Sequence, residues 1–238
     1  MNIIFVADIF GLTDEFKHLC QQVVFKLEAS TGIKCRAHLL GPYQQQPALF
    51  ASENDAYQYF MANVTLAGYV KKLEKIGAQL QQKKQLNESD DTFLVGFSVG
   101  GSAIWQFLSQ YECLQSVPSK DIASKDKASL DTYSQGKFAK SLAAIGFYSS
   151  QVRHMTALTP KVSMRLIFPV AEQHFCVTEL QSQLQDKPTV TVEASRYLHG
   201  FMNELSMNYD REGYQHYIQR LVDLLLMQRS QPISQVND

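Results

Sequence analysis

Short apolar runs alternate with amphipathic stretches along most of this chain. The apolar runs are rich in Val, Ile, Phe and Ala, and they predict six strands: Asn2 to Ala7, Lys34 to Leu40, Thr92 to Val95, Ser141 to Tyr148, Met164 to Val170 and Thr189 to Ala194. Strands of this kind that alternate with helices are typical of a parallel sheet covered on both faces. We therefore predict an α/β fold with a mostly parallel sheet of about six strands and helices on both faces.

The stretches between these runs have helical spacing. The first is an amphipathic segment from Thr13 to Ala29, for which Thr13 is a suitable N-terminal cap and Gly32 a suitable stop. Similar patterns predict four more helices: Asn54 to Asn63, Leu66 to Lys84, Ser102 to Tyr111 and Glu212 to Gln228.

One motif stands between a predicted strand and a predicted helix. The sequence GFSVGG at residues 96–101 directly follows the strand that ends at Val95. A serine between glycines at such a position is typical of a nucleophile elbow, a sharp turn in which only residues without side chains let strand and helix approach closely. This context favours an elbow with Ser98 as nucleophile over a chance glycine turn. The backbone amide of Val99 would point towards the group that Ser98 attacks.

Length and composition restrict the possible function classes. The chain has 238 residues, 45% of them hydrophobic, which suits one α/β domain over residues 1–238. Residues 115–137 are polar and predict a surface excursion, and residues 230–238 predict a flexible tail. With 22 basic and 23 acidic residues and a net charge of −1, the chain offers no electrostatic reason to bind nucleic acid or an anionic membrane.

The N-terminal segment and the cysteines indicate the cellular compartment. The apolar start, Met1 to Phe10, lacks a basic segment and a cleavage site and is interrupted by Asp8, so it predicts a strand and a cytoplasmic protein. The four cysteines are far apart and form no CxxC pair, which predicts reduced thiols and no zinc site: Cys20, Cys35, Cys113 and Cys176.

The loops after the last two strands supply partners for the serine. In a parallel sheet reactive groups collect at the carboxyl ends of the strands. The loop after Met164 to Val170 contains Glu172, and the loop after Thr189 to Ala194 contains His199, followed by Gly200. The order serine, acid, histidine is the order of the α/β-hydrolase triad. His199 is therefore the predicted general base.

These segments together resemble the dienelactone hydrolase family, a branch of the α/β-hydrolases. The resemblance extends from residue 3 to about residue 226, and its short motifs are Ile9 to Leu12, Gly96 to Gly101, Ala143 to Tyr148, Gln173 to Phe175 and His199 to Phe201. It implies attack on an ester, lactone or thioester carbonyl, with oxyanion donors from the amides of Ile9 and Val99. It also implies that the N-terminal hairpin common in this family is missing. Neither a metal nor an organic cofactor is expected.

The acid position departs from the family pattern. The family's acid directly precedes His-Phe, and here that place is taken by Gln173, whereas the nearest carboxylate is Glu172. A glutamine can orient an imidazole ring but cannot stabilise an imidazolium. We favour Glu172 as the acid, reached by a small loop adjustment, with Gln173 or a different acid as the alternatives.

Two further departures concern the nucleophile and the substrate. Ser98 stands where the family's name-giving enzymes have a cysteine, and a serine needs a stronger base. Asn203 stands near the place of a carboxylate-binding arginine, so a dienelactone is not the expected substrate. Asp8 takes the place of a family carboxylate and could either orient the pocket or cap its loop. Phe10 and Phe97 are further candidates for lining the site.

The leading hypothesis is a serine hydrolase in which Ser98 attacks, His199 transfers the proton and Glu172 orients His199. The alternative is a catalytically weakened or inactive hydrolase fold that binds a ligand or a protein, which Gln173 in the acid position would explain. A nucleotide-binding domain is disfavoured because no GxGxxG or GKS/GKT loop is present. Substrate size and oligomeric state stay open, and the excursions from Pro42 to Asn63 and from Gln115 to Lys137 are expected to shape the pocket.

Overall fold

A computed structural model describes residues 1–45, 50–82, 91–110 and 141–230 of the chain. The predicted excursion at residues 115–137 lies outside these ranges, and so does the predicted tail beyond residue 230. No helix in the described ranges has the length and apolar character needed to span a membrane.

A single sheet forms the centre of the described structure. Its strands run in the order β2-β1-β3-β4-β5-β6, and every neighbouring pair is parallel. The strand bounds are β1 Asn2–Val6, β2 Arg36–Leu40, β3 Asp91–Phe97, β4 Ser141–Phe147, β5 Met164–Phe168 and β6 Val190–Ala194. The predicted fold class and all six predicted strands are confirmed.

In the described ranges, six α-helices and one 3-10 helix accompany the strands. Their bounds are α1 Asp14–Thr31, α2 Glu53–Asn63, α3 Thr65–Gln82, α4 Val99–Gln110, the 3-10 helix Ser150–His154, α5 Val177–Gln185 and α6 Arg211–Ser230. The side chain of Thr13 accepts a hydrogen bond from the amide of Phe16, and Gly32 ends α1 in the left-handed conformation, as predicted. The 3-10 helix and α5 were not predicted.

Strand β5 ends earlier than its apolar pattern predicts. The sequence indicates a strand up to Val170, but the strand stops at Phe168. Val170 is 56% exposed, and its amide donates to the carbonyl of Tyr197 in the loop after β6. The chain therefore leaves the sheet before Val170. The following residues form the loop that contains Glu172, which we call the acid loop.

Alternating residues of the strands fill two apolar layers. On one face of the sheet, Ile3 and Phe5 pack in a cluster with residues of α1 and α6. On the other face, Ile4 and Val6 pack with residues of α3, α4 and α5. All strands run in the same direction, so their carboxyl ends meet at one edge, where the loops after β1, β3, β4, β5 and β6 come together.

Candidate active site

Ser98 lies in a strained turn between β3 and α4. Its φ is 51°, in the left-handed region that a residue with a side chain rarely adopts. A Cβ on Gly100 would lie 2.4 Å from the carbonyl oxygen of Val6, so the helix can pass this close to β1 only with glycine there. The turn predicted from the GFSVGG motif is therefore present, with the Ser98 side chain half-buried.

His199 lies beside Ser98. Its Nε2 is 3.0 Å from Ser98 Oγ, within hydrogen-bond distance, although the two residues are 101 positions apart in the chain. The loop that holds His199 depends on Gly200, whose φ is 83° and where a Cβ would lie 2.4 Å from Ser206 Oγ. Asn208 Nδ2 donates to the carbonyl of His199 at 3.0 Å and so helps to fix the backbone of this residue.

Glu172 contacts the opposite nitrogen of the imidazole. Its Oε1 lies 2.7 Å from His199 Nδ1, and its side chain is 13% exposed. Gln173, the next residue, is exposed. Burial raises the pKa of Glu172, but the hydrogen bonds and charges of His199, Ser150 and Arg153 outweigh burial and leave that pKa below its ordinary value. Of the two residues considered for the acid position, Glu172 is the one in contact with His199.

Ser150 is a member of this cluster that the sequence did not reveal. It is buried at the start of the 3-10 helix after β4, and its Oγ donates to Glu172 Oε1. The same Oγ lies 3.1 Å from His199 Nδ1. The available signal was its place shortly after a predicted strand, at the edge where the other site loops meet.

Asp8 is buried at the end of β1 and makes two contacts. Its Oδ1 accepts from the amide of Phe10 at 2.9 Å, and its Oδ2 accepts from Asn203 Nδ2 at 2.6 Å. Burial raises the pKa of Asp8 from 3.8 to about 6, because the two hydrogen bonds offset the loss of water only in part. Asp8 thus caps its own loop and also joins it to the segment after His199.

The loop after β1 brings Ile9 to the same place. Tyr43 Oη donates to the carbonyl of Ile9 at 2.5 Å, which fixes the orientation of that peptide. Val99 is the first residue of α4, and the first amides of a helix have no partner within it. Neither the Ile9 amide nor the Val99 amide donates to another group in the described part of the chain.

Ser98 and His199 line an open cleft. Its lining includes both reactive candidates, two carboxylates and several neutral groups: Asp8, Ile9, Phe10, Glu53, Ser98, Tyr148, His199, Gly200, Asn203 and Ser206. No lysine or arginine is among these described lining residues. Glu53, at the first turn of α2, accepts a hydrogen bond from Ser206 and belongs to the excursion that was expected to shape the pocket.

Phe97 occupies a different position from the other lining candidates. It is 2% exposed and stacks on Phe147, with ring centroids 5.1 Å apart. It lines a neighbouring small cavity that shares Asp8, Tyr148 and Asn203 with the cleft. Phe97 therefore lies beneath the site and not on the cleft that contains Ser98.

No group of three or more His, Cys, Asp or Glu side chains in the described ranges is arranged to hold a metal ion. Polar groups of the site pair with one another, as in the contacts of Asp8 with Asn203 and of Glu172 with His199.

Comparison with solved structures identifies the fold of this chain. A candidate dienelactone hydrolase from Klebsiella pneumoniae subsp. pneumoniae superposes with a TM-score of 0.64 over 93% of this chain and 85% of its own, at 14% identity. The chain has the α/β-hydrolase fold. A dienelactone hydrolase-like promiscuous phosphotriesterase from metagenomic libraries gives a TM-score of 0.60 over 95% of this chain and 85% of its own, at 12% identity.

A third α/β-hydrolase structure has nearly the same extent as this chain. A candidate hydrolase of the α/β superfamily from Xanthomonas campestris pv. campestris gives a TM-score of 0.52 over 95% of this chain and 98% of its own, at 10% identity. No protein-family model matches the sequence, and no curated protein matches it at a significant level. At these identities the likeness concerns the fold, and the case for an activity rests on the site itself.

Proposed function

We propose that this protein is a serine hydrolase that cleaves a carboxylic ester, lactone or thioester through an acyl-enzyme intermediate. The observation that supports the proposal best is the continuous chain of contacts from Ser98 Oγ to His199 Nε2 at 3.0 Å and from His199 Nδ1 to Glu172 at 2.7 Å. A nucleophile in reach of a base, with the base oriented by a third group, is the arrangement that activates a serine hydroxyl.

The proposed acylation follows from these positions. Ser98 Oγ attacks the carbonyl carbon while His199 Nε2 takes the hydroxyl proton. The developing oxyanion accepts hydrogen bonds from the amides of Ile9 and Val99. When the tetrahedral intermediate collapses, the bond to the leaving oxygen or sulfur breaks, and His199 returns the proton to that leaving group. Glu172 holds the imidazole in the required tautomer and stabilises the imidazolium.

The proposed deacylation repeats the sequence with water. A water molecule attacks the Ser98 ester while His199 Nε2 accepts one of its protons, and the second collapse releases a carboxylic acid and restores the serine hydroxyl. No metal or organic cofactor takes part in this scheme.

The cleft favours some substrates within this class. Since its described lining contains Asp8 and Glu53 and no lysine or arginine, it lacks the bidentate donor that a substrate carboxylate requires. We therefore propose a small-molecule ester, lactone or thioester without a carboxylate near the reacting carbonyl, and not a dienelactone.

A fluorophosphonate probe tests the proposed nucleophile. Folded wild-type protein is expected to become labelled on Ser98, and Ser98→Ala is expected to remain unlabelled. Ser149→Ala, which removes a buried hydroxyl from the loop after β4, is the matched control and should label like wild type. Absence of labelling in folded wild-type protein would contradict the proposal.

The alternative, an inactive binding module, would be supported by a different geometry at this site. It would gain support from a Ser98 hydroxyl well outside hydrogen-bond distance of His199 or from an acid position without a carboxylate. The separation of 3.0 Å and the contact of Glu172 with His199 both favour the hydrolase.

A further inference from the structure

We propose that Ser150 is a positioning residue that fixes Glu172 against His199. The inference rests on the proposed hydrolase function and adds a fourth side chain to its triad. Ser150 is 8% exposed, and no part of it lines the cleft, so its role is exerted through the acid and not through the substrate.

The hydroxyl of Ser150 has three neighbours, which are Glu172, His199 and, at 3.3 Å, the carbonyl oxygen of Tyr148. Its Oγ donates to the same Glu172 oxygen that His199 Nδ1 approaches at 2.7 Å, and it lies 3.1 Å from that Nδ1. The Tyr148 carbonyl and the ionised Glu172 carboxylate both only accept hydrogen bonds, and the Ser150 proton goes to Glu172 because the carboxylate is the charged acceptor. In the tautomer that accepts a proton from Ser98, Nδ1 carries a hydrogen that Ser150 Oγ can share with the carboxylate.

A glutamate in the acid role gains more from such support than an aspartate would. Its side chain has one more rotatable bond than aspartate, so fixing it in one rotamer costs more conformational entropy. A second donor on the carboxylate restricts that extra rotation and adds a charge-assisted hydrogen bond. The bond also contributes to the lowered pKa of Glu172, which keeps the group ionised while His199 is protonated.

The segment that presents Ser150 is itself anchored to the acid loop. Arg153 Nη1 donates to the carbonyl of Ser150 at 2.8 Å, and the Arg153 guanidinium lies 5.1 Å from the centre of the Phe175 ring. Phe175 follows Glu172 in the same loop. The 3-10 helix therefore holds the acid loop at two points, the carboxylate and the aromatic ring.

The kinetic test is a double-mutant cycle between Ser150→Ala and Glu172→Gln. Ser150→Ala is expected to lower kcat about tenfold and to change KM by less than about twofold, because it removes a hydrogen bond to a charged group outside the cleft. In the Glu172→Gln background the same change is expected to cost less than about twofold. A kcat within about twofold of wild type, or an equal loss in both backgrounds, would overturn the role of Ser150.

A spectroscopic measurement tests the contact without activity. The Nδ1 proton of His199 should give a far-downfield NMR signal that shifts or broadens in Ser150→Ala and stays in place in the control Ser149→Ala. If Ser150→Ala does not fold, Ser150→Cys, which donates weakly, is measured in its stead. An unchanged signal in the folded variant contradicts the role of Ser150 alone, whereas missing fluorophosphonate labelling of wild type contradicts the hydrolase.

Discussion

Asn203 Nδ2 donates a hydrogen bond of 2.6 Å to Oδ2 of Asp8, across 195 positions of the chain. This contact joins the loop after β1, which contains Ile9, to the loop that contains His199. The amide of Asn203 in turn donates to the carbonyl of Gly200 at 2.8 Å. The proposed oxyanion donor and the proposed base are thus held in one frame, and Asn203 stands near the place where the family resemblance suggests an arginine.

Burial of Asp8 predicts a pH-dependent contribution to stability. Its carboxyl group binds a proton more tightly in the folded chain, where the pKa is about 6, than at its ordinary pKa of 3.8. The stability that Asp8 contributes is therefore fully present below the lower pKa and is lost as pH rises through about 6.

Asp8→Asn tests this contribution because asparagine does not titrate. Relative to this variant, the free energy of unfolding of wild type should fall by about 2 kcal/mol between about pH 4 and pH 7. Urea unfolding followed by circular dichroism at both pH values measures it. Parallel pH dependence of the two proteins would show that Asp8 has no raised pKa.

Substitution of Glu172 should distinguish it from its neighbour. Glu172→Gln keeps the size of the side chain but removes the charge that stabilises imidazolium, so kcat for an activated ester should fall about 10³- to 10⁴-fold. Gln173→Ala, which alters an exposed side chain, should leave kcat within about twofold of wild type. The reverse ranking of the two variants would assign the acid role to a different group.

The charge of the cleft predicts a preference among esters. Asp8 and Glu53 are the carboxylates of the described lining, so the local potential should disfavour anionic substrates. Three thioesters that differ only in the charge of one group measure this preference. They are a positively charged choline thioester, its uncharged carbon isostere and an analogue with a negatively charged sulfonate. We expect kcat/KM to be about tenfold higher for the choline thioester than for the sulfonate.

Glu53→Gln should reduce this ratio, while Glu74→Gln, the same change on an exposed position of α3, should not. Added salt should reduce the ratio as well, because it screens the charges. Equal kcat/KM values for the three thioesters would mean that the carboxylates of the cleft do not select substrates.

The features that the sequence predicted depend on local patterns. Apolar runs were sufficient for the six strands, and glycines on both sides of Ser98 were sufficient for the elbow. Helix α5 was missed because it is short and polar, with three buried residues in nine. An apolar stripe of that size does not stand out from a loop.

The features that the sequence could not predict depend on contacts between distant segments. Ser150 reaches Glu172 over 22 positions, and Ser206 reaches Glu53 over 153 positions. The sequence favoured Glu172 over Gln173 for its charge, but which of the two faces His199 depends on the backbone path of one loop, which changes direction near Val170. No local pattern encodes that path, since it follows from how β5 and β6 end against each other.

The order of the strands has a consequence for the folding of the site. Ser98, Glu172 and His199 follow β3, β5 and β6, and β4 lies between β3 and β5. Contacts that close loops of about a hundred residues form only after the intervening strands have paired. In refolding experiments, the return of a reactive serine should therefore mark the pairing of β3 to β6, later than the return of helical signal.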